Sequence, residues 1–206
     1  MSTDTAEFTA PASAADLESL AARLEERNFE VHIVDTGADA KAAVLARIPE
    51  GAEVHSGKSK TLEDIGVFSE LMSGRYDFLR TRYMKMDRNT QAREMRKLVA
   101  APDFMVGSVQ AVTRSGQLVV ATASGSQIGP YAAGAGKLIL VIGSQKIVPD
   151  METAIRRIRE HVFPYEDARL REQMGIGTKL TKVLTIEGDF MPGRTTVILV
   201  KEPVGI

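Results

Sequence analysis

The sequence predicts an α/β domain in three layers: an open, mostly parallel sheet with helices on both faces, plus an inserted β-hairpin. Apolar strand patterns alternate with amphipathic helix patterns along the chain, as in sheets whose parallel strands are joined by helices. Residues 138–142 are continuously apolar, which is typical of a parallel strand buried on both faces. Residues 109–122 turn at Ser115 and Gly116, a dipeptide suited to a hairpin.

In the first half of the chain, two predicted helices begin after a serine or threonine that is followed three positions later by an aspartate. This spacing is typical of a capping box. Strands are marked by alternating apolar and polar residues. The predicted elements are, in order, a helix capped by Ser13 and Asp16, a strand over 29–33, a helix capped by Thr36 and Asp39, a strand ending near His55, a short helix stopping near Gly66, and mainly helical structure over 67–101.

The second half begins after Pro102, which breaks the preceding helical pattern. The predicted elements are, in order, a strand over 103–106, the hairpin over 109–122, the buried strand over 138–142, a helix capped by Asp150, a helix starting at Pro164, and strands over 182–187 and 195–200.

Length and composition indicate an ordinary globular protein. The chain has 206 residues, enough for one domain with a sizeable core. We expect residues 1–12, rich in Ser, Thr, Ala and Pro, to form a flexible tail, and residues 13–206 to form a single domain. Its net charge of -1 gives no overall field that would favour nucleic acid or membranes.

The chain contains no cysteine. Thiolate ligation of an iron–sulfur cluster, a thiol nucleophile and a disulfide are therefore excluded. The first residues lack the apolar core of a secretory signal, and no run approaches the roughly 18 apolar residues of a membrane span. We expect a cytoplasmic protein.

Ser56, Gly57, Lys58 and Ser59 form a small polar loop between a predicted strand and a predicted helix. A phosphate-binding loop needs a glycine five positions before Gly57, because that glycine lets the backbone curl around the phosphates, and Ala52 stands there. A looser anion site remains open, since backbone amides at a helix start and one lysine can hold an anion. The alternative is a helix-capping turn with a solvated lysine.

Ser124, Gly125, Ser126 and Gln127 form a second polar loop after a strand. Their hydroxyl and amide groups could hold a carboxylate or a phosphate, or the loop could simply be a polar turn before the next element. The G-x-S-x-G pattern of a nucleophilic serine is absent.

Lys146 follows the most apolar strand, so it is expected at the carboxyl edge of the sheet. A lysine there can pair with an anionic ligand, although a surface lysine is the alternative. Because strand-end loops of an open α/β sheet meet at one edge, we predict that loops 56–59, 124–127 and 143–146 form one ligand-binding cleft.

No metal site is predicted. His32, His55 and His161 show neither H-x-H nor H-x-x-x-H spacing, and there is no thiolate to help them. No cofactor is predicted either. His55 could help to line a site, whereas a structural or solvated histidine is the simpler interpretation of all three.

Residues 75–97 carry eight basic and three acidic side chains, interleaved with Tyr76, Phe78 and Tyr83. Such a segment could bind RNA, a nucleotide or an acidic partner. The simpler interpretation is a solvated helical face whose aromatic rings pack inward.

Four segments together resemble the LUD-domain family of lactate-utilisation proteins, in its short, LUD-only form. They are SGKSKTLEDIG at 56–66, DFMVGSVQAVTRSGQLVVATASGSQIGPYAAGAGKLILVIGSQKIV at 103–148, AIRRIREHVFPYEDAR, and PGRTTVILVKE. The resemblance covers most of residues 30–203. It implies the fold group of sugar-phosphate isomerases and CoA-transferases, which agrees with the α/β order above.

The resemblance also implies a role in bacterial oxidation of L-lactate to pyruvate beside iron–sulfur partner proteins. A cysteine-free chain would be the component without a cluster. The family implies no catalytic residues, so only the pocket-side positions 56–59, 124–127 and Lys146 are carried over as ligand-binding. Ser124 and Gly125 stand where CoA-transferases have a nucleophilic glutamate and glycine, which argues against acyl transfer.

The residues and the resemblance together leave three functions open. The first is a lactate-utilisation subunit that binds a small anionic metabolite and iron–sulfur proteins. The second is an independent enzyme acting on a nucleotide-bearing or sugar-phosphate ligand. The third is an RNA-binding protein with a basic surface.

Overall fold

The structure is a computed structural model and describes residues 5–206. The strands in this range are β1 (Glu30–Val34), β2 (Glu53–His55), β3 (Asp77–Phe78), β4 (Phe104–Gly107), β5 (Ala111–Thr113), β6 (Leu118–Thr122), β7 (Lys137–Gly143), β8 (Ile147–Val148), β9 (Lys182–Ile186) and β10 (Thr195–Val200). The α-helices are α1 (Ala14–Glu25), α2 (Gly37–Leu45), α3 (Lys60–Asp64), α4 (Val67–Leu71), α5 (Leu79–Tyr83), α6 (Ala92–Ala100), α7 (Met151–Arg157) and α8 (Phe163–Met174). Short 3-10 turns lie at Thr5–Phe8 and Ser144–Lys146, and π-helical turns at Pro130–Gly134 and Ile158–Val162.

Six strands form the main sheet in the order β1-β10-β7-β4-β2-β3, and every neighbouring pair runs parallel. β7 lies inside the sheet between β10 and β4, and six of its seven residues are buried. A strand in this position has both faces covered, which is why its sequence is continuously apolar. The predicted open, mostly parallel α/β sheet is confirmed.

Different helices cover the two faces of the main sheet. Leu138 and Leu140 of β7 pack in one core with Leu20 of α1. Ile139 and Val141 point to the opposite face, where their core includes residues of α2, α3 and α4. Because successive side chains of a strand alternate between faces, one apolar run supplies both cores. Because each face of the sheet packs against its own helices, the predicted three-layer arrangement is confirmed.

The predicted hairpin is part of a second sheet with the order β8-β5-β6-β9. β5 and β6 pair antiparallel, as expected, and β9 extends the hairpin by pairing antiparallel with β6. One face of this sheet joins the core below α1, and the other packs against Ala154 of α7. The strand over 182–186 therefore belongs to the second sheet.

The flexible tail predicted over residues 1–12 stays a prediction, and residues 1–4 lie outside the described residues. Thr5–Phe8 form a 3-10 turn, and Phe8 is 2% exposed. The Phe8 ring lies 6.1 Å from the His161 ring, and Arg157 donates to the Phe8 carbonyl. Composition alone does not show that a buried aromatic ring of this polar segment packs against the rest of the protein. The division into a tail and a single domain over 13–206 otherwise stays a prediction.

Residues 67–101 hold the three helices α4, α5 and α6, as predicted, but turns and the short strand β3 separate them. Its two residues pair with β2 at the edge of the main sheet, and the Phe78 side chain is buried. A strand of two residues shows no measurable alternation, so the sequence pattern could not reveal it. Within residues 5–206, no helix combines the length and the apolar character needed to cross a membrane.

Candidate functional site

A cavity of about 190 Å³ opens beyond the carboxyl ends of β4 and β7, against the second sheet. This is the edge at which open α/β sheets bind their ligands. The residues that line it are Gly57, Lys58, Ser59, Lys60, Thr61, Gly107, Ser108, Val109, Gln110, Ala121, Thr122, Ala123, Gln127, Tyr131, Lys146, Ile158, Val162, Phe163, Glu166, Thr178, Lys179, Leu180 and Ile206.

Lys146 is the buried cation of this cavity, with 2% of its surface exposed. Its Nζ donates to Thr61 Oγ1 at 2.8 Å, Ser108 Oγ at 2.9 Å and the Val109 carbonyl at 3.2 Å. All three acceptors are neutral oxygens. Burial, reinforced by the nearby positive charge of Arg157, lowers the pKa of Lys146 to about 7.

The backbone after β7 turns Lys146 inward. Ser144 Oγ donates to the Lys201 carbonyl at 2.7 Å, and Gln145 Nε2 donates to the Val204 carbonyl at 3.0 Å. A side chain at Gly143 would come within 2.6 Å of the Val204 carbonyl, so glycine permits this close approach. Chain segments about 60 residues apart in sequence therefore fix the direction of the lysine.

Tyr131 closes the cavity beside β4. Its hydroxyl accepts from the Ser108 backbone N–H at 3.1 Å and donates to the Ser108 carbonyl at 3.1 Å. A Cβ at Gly107 would lie 1.7 Å from the Tyr131 hydroxyl, so a glycine is required at the end of β4. Burial raises the pKa of Tyr131 above its usual range, which keeps this hydroxyl neutral and able to donate.

Both π-helical turns contribute to the lining. Tyr131 comes from Pro130–Gly134, and Ile158 and Val162 come from Ile158–Val162. A π-helical turn inserts an extra residue and rotates the following side chains relative to an α-helix. Such turns are frequent at functional sites, and both here bring side chains into the same cavity.

Arg157 is fully buried behind Gln110, one of the lining residues. Its Nη1 donates to the Gln110 carbonyl at 2.5 Å, and its Nη2 donates to the Phe8 carbonyl at 3.3 Å. Among residues 5–206, no carboxylate forms an ion pair with Arg157 or with Lys146, and Arg157 Nε has no partner. Burial lowers the pKa of Arg157 to about 10. Lys146 in the cavity and Arg157 behind its lining are therefore two buried basic groups without an ion-pair partner among the described residues, and Asp64 only partly offsets the positive charge at Lys146.

The outer rim carries three further lysines. Lys58 Nζ donates to Gln173 Oε1 at 2.8 Å, Lys60 pairs with Asp64, and Lys179 is exposed. The one lining carboxylate, Glu166, accepts from Arg169 at 2.9 Å. The lining thus holds four lysines and one glutamate, so it favours anions although the whole chain is near neutral.

The structure brings together part of the predicted cleft. Gly57, Lys58, Ser59, Gln127 and Lys146 all line the cavity. The first and second loops touch, since a Cβ at Gly57 would lie 3.0 Å from Gln127 Oε1.

The remaining predicted residues do not line the cavity. Ser56 is buried beneath it and donates to the Gly57 carbonyl at 2.8 Å. Gly125 has a φ of 81°, which turns its loop outward, so Ser124 and Ser126 are exposed and hydrogen-bond to each other at 3.1 Å. The sequence predicts a turn at Gly125, but it does not show that the turn points Ser124 and Ser126 away from the cavity.

Histidines lie away from the lining. His55 is 2% exposed, and neither ring nitrogen has a hydrogen-bond partner among the described residues. Burial, with a smaller effect of Arg80, lowers the pKa of His55 to about 4. Across residues 5–206, no three histidine or carboxylate side chains are grouped closely enough to hold a metal ion.

The basic segment 75–97 keeps its aromatic rings away from solvent. Tyr76 and Phe78 are buried, and half-buried Tyr83 packs edge-on against His55 at 6.0 Å. Arg80 stacks over the Tyr83 ring at 5.9 Å. These rings support the fold, and stacking on nucleic-acid bases would need them exposed.

The fold and the cavity define a class: an α/β protein with a small, positively lined cavity at the carboxyl edge of a parallel sheet. The family model for the LUD domain matches residues 17–200. The chain therefore belongs to the LUD-domain family, which is associated with lactate utilisation.

Solved structures support the fold. The chain is similar to a DUF162 family protein from Deinococcus radiodurans known from a crystal structure, with a TM-score of 0.52 and 15% sequence identity. The similarity covers 92% of this chain and 99% of the other. At this identity it shows the fold alone. The comparison with curated proteins gave no match.

Several lining residues were not predicted from the sequence, above all Thr61, Ser108 and Tyr131. Ser108 follows the predicted strand over 103–106, so the rule that found Lys146 could also have found it. Thr61 and Tyr131 carry no comparable signal, because they reach the cavity from a short helix and a π-helical turn.

Proposed function

We propose that this protein is the cluster-free component of a bacterial L-lactate utilisation system, and that it binds a small carboxylate metabolite in the cavity at Lys146. The family supports the lactate context. The cavity supports the ligand class. Within the proposed site, Lys58, Lys60, Lys146 and Lys179 supply positive charge, and Gly57, Ser59 and Gln127 supply polar groups around it.

The observation that supports this proposal is the buried amine of Lys146, which has no carboxylate partner among residues 5–206. Burying a charge without compensation is costly, so the folded protein alone disfavours the charged form of Lys146. An anion in the cavity would supply the missing negative charge. Charge-assisted hydrogen bonds of this kind contribute about 1.5–3 kcal/mol each.

The size of the cavity favours a small metabolite over a nucleotide. Pockets for drug-sized ligands span roughly 300–1,000 Å³, whereas this cavity measures about 190 Å³. A three-carbon acid such as lactate or pyruvate is in the range that such a space can hold.

The partner half of the proposal rests on the absence of cysteine. Without thiolates, the chain cannot carry a cluster as iron–sulfur proteins usually do. Electrons from lactate must then pass to other proteins, and a cysteine-free chain also suits the reducing cytoplasm, where we place it. Genes for cysteine-rich iron–sulfur proteins beside this gene are expected, and a gene that stands alone would count against this half.

Calorimetric titration with pyruvate and L-lactate tests the ligand half. We expect Lys146→Met to weaken binding at least tenfold, equivalent to about 1.4 kcal/mol. Lys58→Ala should weaken it less, because Lys58 is exposed and salt and water screen its charge.

Lys137→Met is the matched control. Lys137 begins β7, the strand that leads to Lys146, and its Nζ donates to the Gly193 carbonyl at 2.5 Å. The Lys137→Met variant should bind pyruvate and L-lactate with unchanged affinity. Equal affinity in the Lys146→Met variant, or no binding of either acid by the unmodified protein, would show that the cavity is not a carboxylate site.

A further inference from the structure

Lys146 presents a primary amine inside a cavity, and its hydrogen-bond partners do not require it to be charged. Its contacts are two hydroxyls, Thr61 Oγ1 and Ser108 Oγ, and the carbonyl of Val109. A fourth contact joins the hydroxyls, since Thr61 Oγ1 donates to Ser108 Oγ at 3.3 Å. The four groups form a small closed network.

This network is complete when Lys146 is a neutral amine. Two N–H groups would then donate to Thr61 Oγ1 and to the Val109 carbonyl, while the Ser108 hydroxyl would turn from the Val109 carbonyl, 3.4 Å away, and donate to the nitrogen lone pair. The Thr61 hydroxyl in turn donates to Ser108 Oγ. Every polar hydrogen and the lone pair have a partner, so the amine can lose its proton without leaving a buried group unpaired.

We propose that Lys146 forms an imine with the carbonyl carbon of a small 2-oxo acid, an inference that rests on the proposed carboxylate site and names its substrate class. A neutral amine held in a desolvated pocket near another cation is the arrangement that makes lysine nucleophilic. Arg157 is that second cation, and its positive charge also helps to lower the pKa of Lys146 to about 7.

A 2-oxo acid matches both ends of the cavity. Its carboxylate would face the rim, where Lys58, Lys60 and Lys179 lie. Its carbonyl carbon, directly bonded to the carboxylate carbon, would face the buried amine. A 2-hydroxy acid such as L-lactate offers the same carboxylate but no carbon that an amine can attack, so the two acids separate anion binding from imine formation.

The step needs no further reactant. The Nζ lone pair forms a bond to the carbonyl carbon, and the C=O π electrons move to the oxygen. Both protons of the amine are transferred to that oxygen, which leaves as water while the C=N bond forms, and a proton taken up from the solvent then charges the imine nitrogen. Ser108, hydrogen-bonded to Nζ at 2.9 Å, is placed to pass these protons.

Reductive trapping tests the proposal. The intact protein is incubated with pyruvate and sodium borohydride, which reduces an imine to a stable secondary amine, and the adduct is located by peptide mass spectrometry. We expect about one adduct per chain, on Lys146. Lys137→Met should be labelled like the unmodified protein, and Lys146→Arg should lose the adduct.

The rate of trapping distinguishes a proton-relay role for Ser108 from a purely structural one. Ser108→Ala should slow adduct formation about tenfold or more while the pyruvate affinity changes less. An equal loss in rate and affinity would remove Ser108 from the proposed step.

Titrations with the two acids separate this inference from the proposed function. If pyruvate and L-lactate bind equally well and no adduct forms, the carboxylate site stands and the imine is wrong. If adducts are spread evenly over Lys58, Lys60 and Lys179, the imine at Lys146 is also wrong. If neither acid binds, both proposals fail together.

Discussion

Lys146 has an unusual position for a lysine, since it is 2% exposed and contacts only neutral oxygens among the described residues. In the unfolded chain its amine is fully solvated and holds a proton near the ordinary lysine pKa of 10.5. Folding removes that solvation, so the charged form carries a penalty in the native state. The protein keeps a costly group at the cavity, which is typical of a functional site.

The lowered pKa of Lys146 predicts how stability depends on pH. Between pH 7 and 10.5 the unfolded chain holds a proton that the folded protein lacks, so raising the pH favours the folded state. This group alone should increase the free energy of unfolding by up to about 1.4 kcal/mol per pH unit in that window. Below pH 7 both states are protonated, so its contribution no longer changes.

Urea unfolding at several pH values measures this effect. Lys146→Met should abolish the rise in the free energy of unfolding between pH 7 and 10.5. This variant should also be more stable than the unmodified protein near neutral pH. Lys137→Met should keep the increase. Parallel pH profiles for the unmodified protein and Lys146→Met would mean that Lys146 is charged in the folded state.

Lys58 and Lys146 show which properties of a single residue the sequence predicts: it predicted their positions in the fold but not their burial. Both lysines follow strands, and the strand-end rule placed both at the right edge of the sheet. The sequence could not show that one is exposed and the other buried. Burial of Lys146 depends on Thr61, 85 residues away, and on the turn that Val204 fixes.

At the level of elements, local signals predicted local structure. The capping boxes at Ser13 and Thr36 are present with both reciprocal hydrogen bonds, because a capping box involves only residues three positions apart. The strands of the main sheet other than β3 followed from apolar runs and alternation. The two π-helical turns were not predicted, since tertiary packing decides where a helix takes an extra residue.

The N-terminal segment illustrates the same distinction. Its composition indicated a loose tail, but Phe8 packs against His161 and below the Arg156 guanidinium, which lies 5.7 Å from the ring centre. Its carbonyl also accepts from buried Arg157. A single anchoring residue therefore joins the segment to the helix behind the cavity.

Phe8→Ala tests this packing. Removing a buried phenylalanine ring should lower the free energy of unfolding by about 3 kcal/mol. Phe190→Ala is the control, because Phe190 is 96% exposed, and its loss should change stability by less than about 0.5 kcal/mol. Equal, small effects in urea unfolding would restore the description of residues 5–12 as a loose tail.

At the level of the whole molecule, the charge is near neutral but unevenly distributed. The net charge of -1 indicates no strong overall field, and it could not reveal a cavity lined by four lysines and one glutamate. These residues come from separate parts of the chain, and the fold brings them together around one cavity. The fold class was therefore predictable from sequence, whereas the cavity and its charge required the three-dimensional arrangement.

We expect ligand binding to place positive charge on the buried nitrogen of Lys146. Whether the bound form is an ammonium or a protonated imine, binding at a pH above 7 must then take up a proton. Proton uptake is measured by calorimetric titration with pyruvate at about pH 8 in two buffers of different ionisation enthalpy.

We expect an uptake of roughly half to one proton per pyruvate bound by the unmodified protein and by Lys137→Met, and none by Lys146→Met. Pyruvate binding with the same heat in both buffers would contradict the account, as would equal proton uptake by Lys146→Met.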